Sequence, residues 1–152
     1  MEAHGSHEKG GTMQKINWTR VILGGLVAGL VINVSESLLN GLIIGDDWQA
    51  AYTAVGLPAQ ESAGMIVWYL ASGFILGIAG VAIYAGFRPR CGAGPTTAVW
   101  SGLTVWFLTY FIGYGGVFFS GLFPMHLFWW TELWGVMEVV LAVLVGAWLY
   151  RE

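Results

Sequence analysis

Four stretches of this chain stay apolar long enough to cross a lipid bilayer, and no other feature limits its fold so sharply. They run over residues 18–44, 63–87, 96–119 and 127–150. A hydrocarbon layer about 30 Å thick takes roughly 20 helical residues, and each stretch reaches that length. None shows the period-2 alternation of a barrel strand, and a helix satisfies every backbone N–H and C=O inside its own segment. The sequence therefore predicts an all-α polytopic membrane protein. Short connections make successive helices antiparallel neighbours in a four-transmembrane-helix bundle. Composition agrees, because 57% hydrophobic and 10% charged residues leave too little polar surface to coat a water-soluble globule of 152 residues.

The basic residues orient the bundle. Lys9, Lys15, Arg20, Arg88, Arg90 and Arg151 all fall on one face when both termini are cytoplasmic, and the other face has none. The positive-inside rule then predicts a multi-pass protein with N- and C-termini in the cytoplasm, and a bacterial inner membrane is the expected location. The lipid bilayer is its first partner. A net charge of -3 gives no footprint for nucleic acid. Residues 1–15 read as a disordered cytoplasmic tail, rich in Gly, His and Glu, and 16–152 as the transmembrane domain. The apolar run from Val21 to Ile32 imitates a signal-peptide core, but no small-x-small cleavage site comes after it, so an uncleaved first helix is expected. The single cysteine, Cys91, excludes a Cys-x-x-Cys redox pair and an intrachain disulfide.

Small residues mark where helices can approach closely. Gly25 and Gly29 form G-x-x-x-G in the first helix, and Gly73 and Gly77 repeat the device in the second, which suits tight packing within the bundle or a dimer interface. Asp46 to Val55 reads as a short interfacial helix in the first outer loop, with an aspartate to cap it and Trp48, Tyr52 and Val55 along one face. It is either a membrane-surface loop or a lid. The third helix carries Phe107, Phe111, Tyr114 and Phe118 at i, i+4, i+7 and i+11. Such a stripe serves core packing, or the seating of a porphyrin, quinone or carotenoid.

In the loop between the second and third helices, Arg88 and Arg90 can hold lipid headgroups, Pro89 should stop one helix, and Pro95 suits the first turn of the next. With Trp18 near the start, the Arg88-to-Pro95 loop and the ending Gly146 to Arg151, the chain resembles a group of small bacterial four-helix membrane proteins of unknown function. The resemblance implies the fold and no activity.

Polar residues inside the spans carry what functional signal there is. Asn33, Glu36, Ser37 and Asn40 lie in the first helix, and Glu132 and Glu138 in the fourth. Counting about 1.5 Å per residue from Arg20 and Arg151 puts Asn33 level with Glu138 near the midplane, with Glu36 and Glu132 further out. An acid at that depth must be neutral, hydrogen-bonded or facing water, and the spans hold no Lys or Arg to pair with it. His126 is the weak candidate for a metal or haem ligand, placed in a loop before the fourth helix.

No nucleophile, metal set or nucleotide motif is present. The leading expectation is a non-enzymatic membrane subunit or scaffold that packs with itself or with partners in a larger complex. The alternatives are a small proton-coupled transporter or channel using the intramembrane glutamates, and a pigment- or haem-associated accessory subunit. No cofactor is identified.

Overall fold

A computed structural model describes residues 16–58 and 62–150, and among these every regular element is helical. The expectations for the N-terminal tail, with Lys9 and Lys15, and for Arg151 lie outside the described residues. Helix α1 (Trp18–Leu38) starts at Asn17, whose side-chain oxygen accepts the Arg20 N–H at 3.2 Å. It passes without a break into a π turn, Leu39–Ile43, so the first span runs Trp18–Ile43. The short helix α2 (Gly45–Ala54) comes next. Then come α3 (Ala63–Cys91), the second span, and α4 (Pro95–Trp106), which a second π turn, Phe107–Phe111, joins to α5 (Ile112–Phe119) to make the third span. Helix α6 (Met125–Leu149) is the fourth. All four spans are long and apolar enough to cross a membrane, and together they form a helical bundle.

Glycine sets the spacing between the first two spans. A Cβ on Gly25 would lie 2.5 Å from the Cα of Ile78, and one on Gly29 would lie 2.6 Å from the Cα of Phe74. One on Gly77 would fall 2.8 Å from the Cα of Gly29, so no larger residue fits. Each step of four residues up the first span meets a step of four down the second, as antiparallel packing requires. The ladder's last rung is polar: Asn33 donates its amide N–H to the carbonyl of Leu70 at 3.1 Å, and Gly73 leaves room for the Asn33 side chain. Gly24 and Gly146 bring the first and fourth spans equally close, since a Cβ on Gly24 would sit 2.6 Å from the Gly146 carbonyl oxygen. Close backbone approach replaces the hydrophobic drive that lipid removes.

The face where the described chain begins and ends is pinned by tyrosines. Tyr150 accepts the Asn17 N–H at 3.3 Å, Tyr84 accepts the Gly94 N–H at 3.3 Å, and the two rings meet edge to face at 6.1 Å. The opposite, distal face is closed by aromatics. There Trp48 and Tyr52 of α2 pack on Phe123, at 5.4 and 5.6 Å, over a core of Leu39, Ile44, Ala51, Phe118, Leu127 and Phe128.

Several local expectations are corrected. Helix α3 does not stop at Phe87 but runs through Pro89 to Cys91. So close to the end, the N–H that proline lacks costs a single bond, and the helix closes at Gly92, whose φ is +84° and whose N–H donates to Arg88 at 2.9 Å. Helix α2 has no side-chain cap. Its N-cap is Ile44, while Asp46 and Asp47 occupy the first turn, where they favour the positive end of the helix. The aromatic stripe of the third span is not one face: Phe118 is buried, whereas Phe107, Phe111 and Tyr114 are exposed, and Phe107 and Phe111 stack on each other at 5.5 Å. The extra residue of the π turn rotates every later position about the helix axis, so spacing counted on a regular α-helix fails across it.

Candidate functional site

The first span presents Glu36 and Asn40 one turn apart. Asn40 donates to the backbone carbonyl of Glu36 at 3.1 Å and also to Glu36 Oε2. Asn40 sits in the Leu39–Ile43 π turn, whose wide bond from Ile44 N–H to the Leu39 carbonyl measures 2.9 Å. The third span answers with Tyr110 from the other π turn. Without the inserted residue this ring would be turned about 100° around the helix. Its hydroxyl lies 2.7 Å from Glu36 Oε1 and 3.0 Å from Glu138 Oε1, which links three spans through one oxygen.

Tyr110 is 5% exposed and Glu138 3%. Gly135, one turn before Glu138, makes this burial possible, because a Cβ there would lie 2.6 Å from the ring's Cδ1. Ser35 and the Glu36 carboxyl flank Glu138. Ser35 is itself held by the indole N–H of Trp134 at 2.8 Å. Among the described residues Glu138 Oε2 has no hydrogen-bond partner.

Hydrogen counting constrains the chemistry of this bridge. A phenol carries one hydrogen, whereas an ionised carboxylate can only accept. If Tyr110 donates to one glutamate, its contact with the other is a hydrogen bond only when that carboxyl donates to the phenolic oxygen. Both contacts are full hydrogen bonds when one of the two carboxyls holds a proton, and the pair then carries at most one negative charge.

No family model, curated protein or solved structure matches this chain. What the site can do is read from its geometry alone.

Of the polar residues singled out in the sequence, the structure brings Glu36, Asn40 and Glu138 together. Asn33 instead ties the first span to the second, and the Ser37 hydroxyl donates to the Asn33 carbonyl at 2.7 Å within its own helix. Axial counting pairs Asn33 with Glu138 and Glu36 with Glu132; the structure pairs Glu36 with Glu138. Their offset of about three residues, roughly 4.5 Å along the axis, is spanned by the tyrosine and two long acids. Glu132 is buried, with both carboxyl oxygens and the neighbouring Thr131 hydroxyl lacking hydrogen-bond partners among the described residues. Its backbone carbonyl accepts the Trp106 indole N–H at 3.2 Å.

His126 lies in the first turn of α6 rather than in a loop, with Nε2 3.8 Å from Asp47 at the distal face. Among the described residues no three His, Cys, Asp or Glu side chains gather as a metal set. Arg88 and Arg90 occupy the last turn of α3, with the Arg88 guanidinium 5.7 Å from the Tyr150 ring centre. Cys91 is exposed at the end of that helix. The member that sequence reasoning missed is Tyr110. Its signal was a tyrosine in a span at the depth of the acids, with a glycine on the facing helix.

Proposed function

We propose that this chain is a small proton-coupled transporter or channel in which the Glu36–Tyr110–Glu138 bridge gains and loses the proton. The observation that supports this reading is the single phenolic hydroxyl placed between two carboxyls, one of them deeply buried. Polar groups that merely join helices need a satisfied partner for every atom. Here a buried carboxyl oxygen is left over. Loss of the shared proton would set two like charges beside one hydroxyl that can serve only one of them, so the link between the first and fourth spans has two states. Intramembrane ionisable groups serve proton relays and solute sites elsewhere.

In this reading the face where the described chain begins and ends is cytoplasmic, on the distribution of Lys and Arg. Reconstitution in liposomes containing a pH-sensitive dye tests the function. Proton flux is expected for the wild type and is lost in Glu36→Gln and Glu138→Gln, which keep size and hydrogen bonding but cannot release a proton. Unchanged flux in both folded variants overturns the proposal.

A second reading, a subunit that packs with itself or with a larger membrane complex, draws on one observation: Ser37 and Asn40 are exposed on the flank of the first span at membrane depth. Both donate within the first span, but lipid offers nothing to their remaining polar atoms, and a neighbouring helix would. A protein that runs as a single chain in detergent and crosslinks to nothing in the membrane removes this reading.

A further inference from the structure

We propose that the bridge forms the floor of a binding site for a lipophilic monovalent cation, reached sideways from the bilayer between the distal halves of the first and second spans. The proposal rests on the proton-coupled reading above. The glycine ladder joining these spans ends at the bond from Asn33 to Leu70. In the same register the next pair would be Ser37 and Ile66, yet both are exposed, and a Cβ on Gly41 would meet nothing within 4 Å. Every residue from 63 to 71 is exposed, so the distal third of α3 stands apart from its neighbours.

The gap reaches acid and aromatic groups. Glu36 is half-buried and Asn40 exposed beside it. Tyr69 of the second span and Tyr114 of the third are 42% and 40% exposed, and Tyr114 lies within electrostatic range of Tyr69, Glu36, Glu132 and Glu138. A separate observation points to a ligand: Glu138 is 3% exposed, yet its Oε2 has no hydrogen-bond partner among the described residues, although its other oxygen is tied to the bridge. Ser35 and the Glu36 carboxyl flank this side chain, but Oε2 itself makes no hydrogen bond among the described residues, which suits it to a positive guest. The titratable groups around the bridge are Glu36 on the first span, Tyr110 and Tyr114 on the third, and Glu132 and Glu138 on the fourth, with Tyr69 of the second span in electrostatic range of Tyr114. None of them is cationic.

Carboxylates together with aromatic faces recognise organic cations through charge and ring quadrupole. A small metal cation would need a shell of several oxygens, whereas this opening leads into hydrocarbon. That favours a cation soluble in lipid, of the phosphonium or quaternary ammonium class. The exchange balances. The pair starts with one proton and one negative charge, the proton leaves to water as the cation arrives, and the occupied site keeps a net charge of minus one.

The test uses the full-length protein in nanodiscs with tetraphenylphosphonium as probe, measuring binding by equilibrium dialysis and proton release in weak buffer. Saturable binding with about one proton released per cation is expected, weakened about tenfold or more by Glu36→Gln and by Glu138→Gln. Tyr69→Leu, at an exposed position where folding is insensitive, should weaken binding about three- to tenfold. Equal binding by wild type, Glu36→Gln and Tyr69→Leu means partition into lipid and overturns the site. No saturable binding, while glutamate-dependent proton flux persists in liposomes, overturns the cation site and leaves the proton reading standing. Absence of both removes both. An Ile66→Cys disulfide between two copies in a Cys91→Ser background, formed in the membrane, would show the gap filled by a second chain and overturn the proposal.

Discussion

Replacing Tyr110 with Phe removes one oxygen atom and nothing else, which makes it the sharpest test of the bridge. The ring still lies against Gly135, so no cavity opens. Two interactions vanish, those at 2.7 Å to Glu36 and 3.0 Å to Glu138. Interhelical hydrogen bonds in membranes contribute about 0.6 kcal/mol on average and up to about 1.7 kcal/mol. To this is added a desolvation cost of about 1–3 kcal/mol, because the buried Glu138 loses the donor on Oε1 while its Oε2 already makes no hydrogen bond among the described residues. Glu36 keeps Asn40. The sum is about 2–4 kcal/mol of destabilisation. For a chain of this size each kcal/mol moves the melting temperature by about 2–4 °C, so a drop of roughly 5–15 °C is expected. Tryptophan fluorescence in detergent reads it, since Trp134 lies on the fourth span beside Ser35 and Trp106 bonds to that span at Glu132. Tyr114→Phe serves as the control and should move Tm less. A Tyr110→Phe protein that melts within about 1 °C of wild type refutes the bridge as a buried three-span link.

Three glycine and asparagine positions separate packing from chemistry. Gly135→Ala would drive a methyl group into the Tyr110 ring and should cost about 1–3 kcal/mol while also reducing proton flux, measured by melting and by liposome assay. Gly77→Ala places its Cβ against the backbone of Gly29, which cannot yield as a side chain can; separation of the first two spans and a large loss of folded protein on size-exclusion chromatography are expected. Asn33→Ala should lower stability by about 1 kcal/mol and leave flux unchanged, because Asn33 bonds the second span rather than the bridge. Lost flux in that variant would contradict the assignment of Asn33 to packing.

The spans were legible because a bilayer imposes a length, and runs of Leu, Val, Ile and Gly announce it. The same holds for the small faces, since Gly25, Gly29 and Gly77 permit an approach that no side chain allows. Pro89 misled because its cost depends on how many residues lie beyond it, and here only two do within the helix. Tyr110 was hidden for a different reason. Its direction is set by a π turn, which no residue in Phe107–Phe111 signals, and a count on a regular helix sends that position elsewhere. The pairing of Glu36 with Glu138 was likewise beyond axial counting, because side-chain reach exceeds the few ångströms that separate the candidate depths. Glu132 could be read as buried, but not as standing apart from the bridge.

The central claim is that two glutamates share a proton through one tyrosine. Infrared difference spectroscopy of the protein in nanodiscs, with isotope-labelled glutamate, reads the C=O stretch of a protonated carboxyl directly. Wild type should show a labelled protonated-carboxyl band at neutral pH that shifts when Tyr110 is changed to Phe, and that is altered by Glu36→Gln and by Glu138→Gln alike, since the proton belongs to the pair. A wild-type spectrum with only ionised glutamate, or a band untouched by either substitution and by Tyr110→Phe, would contradict it.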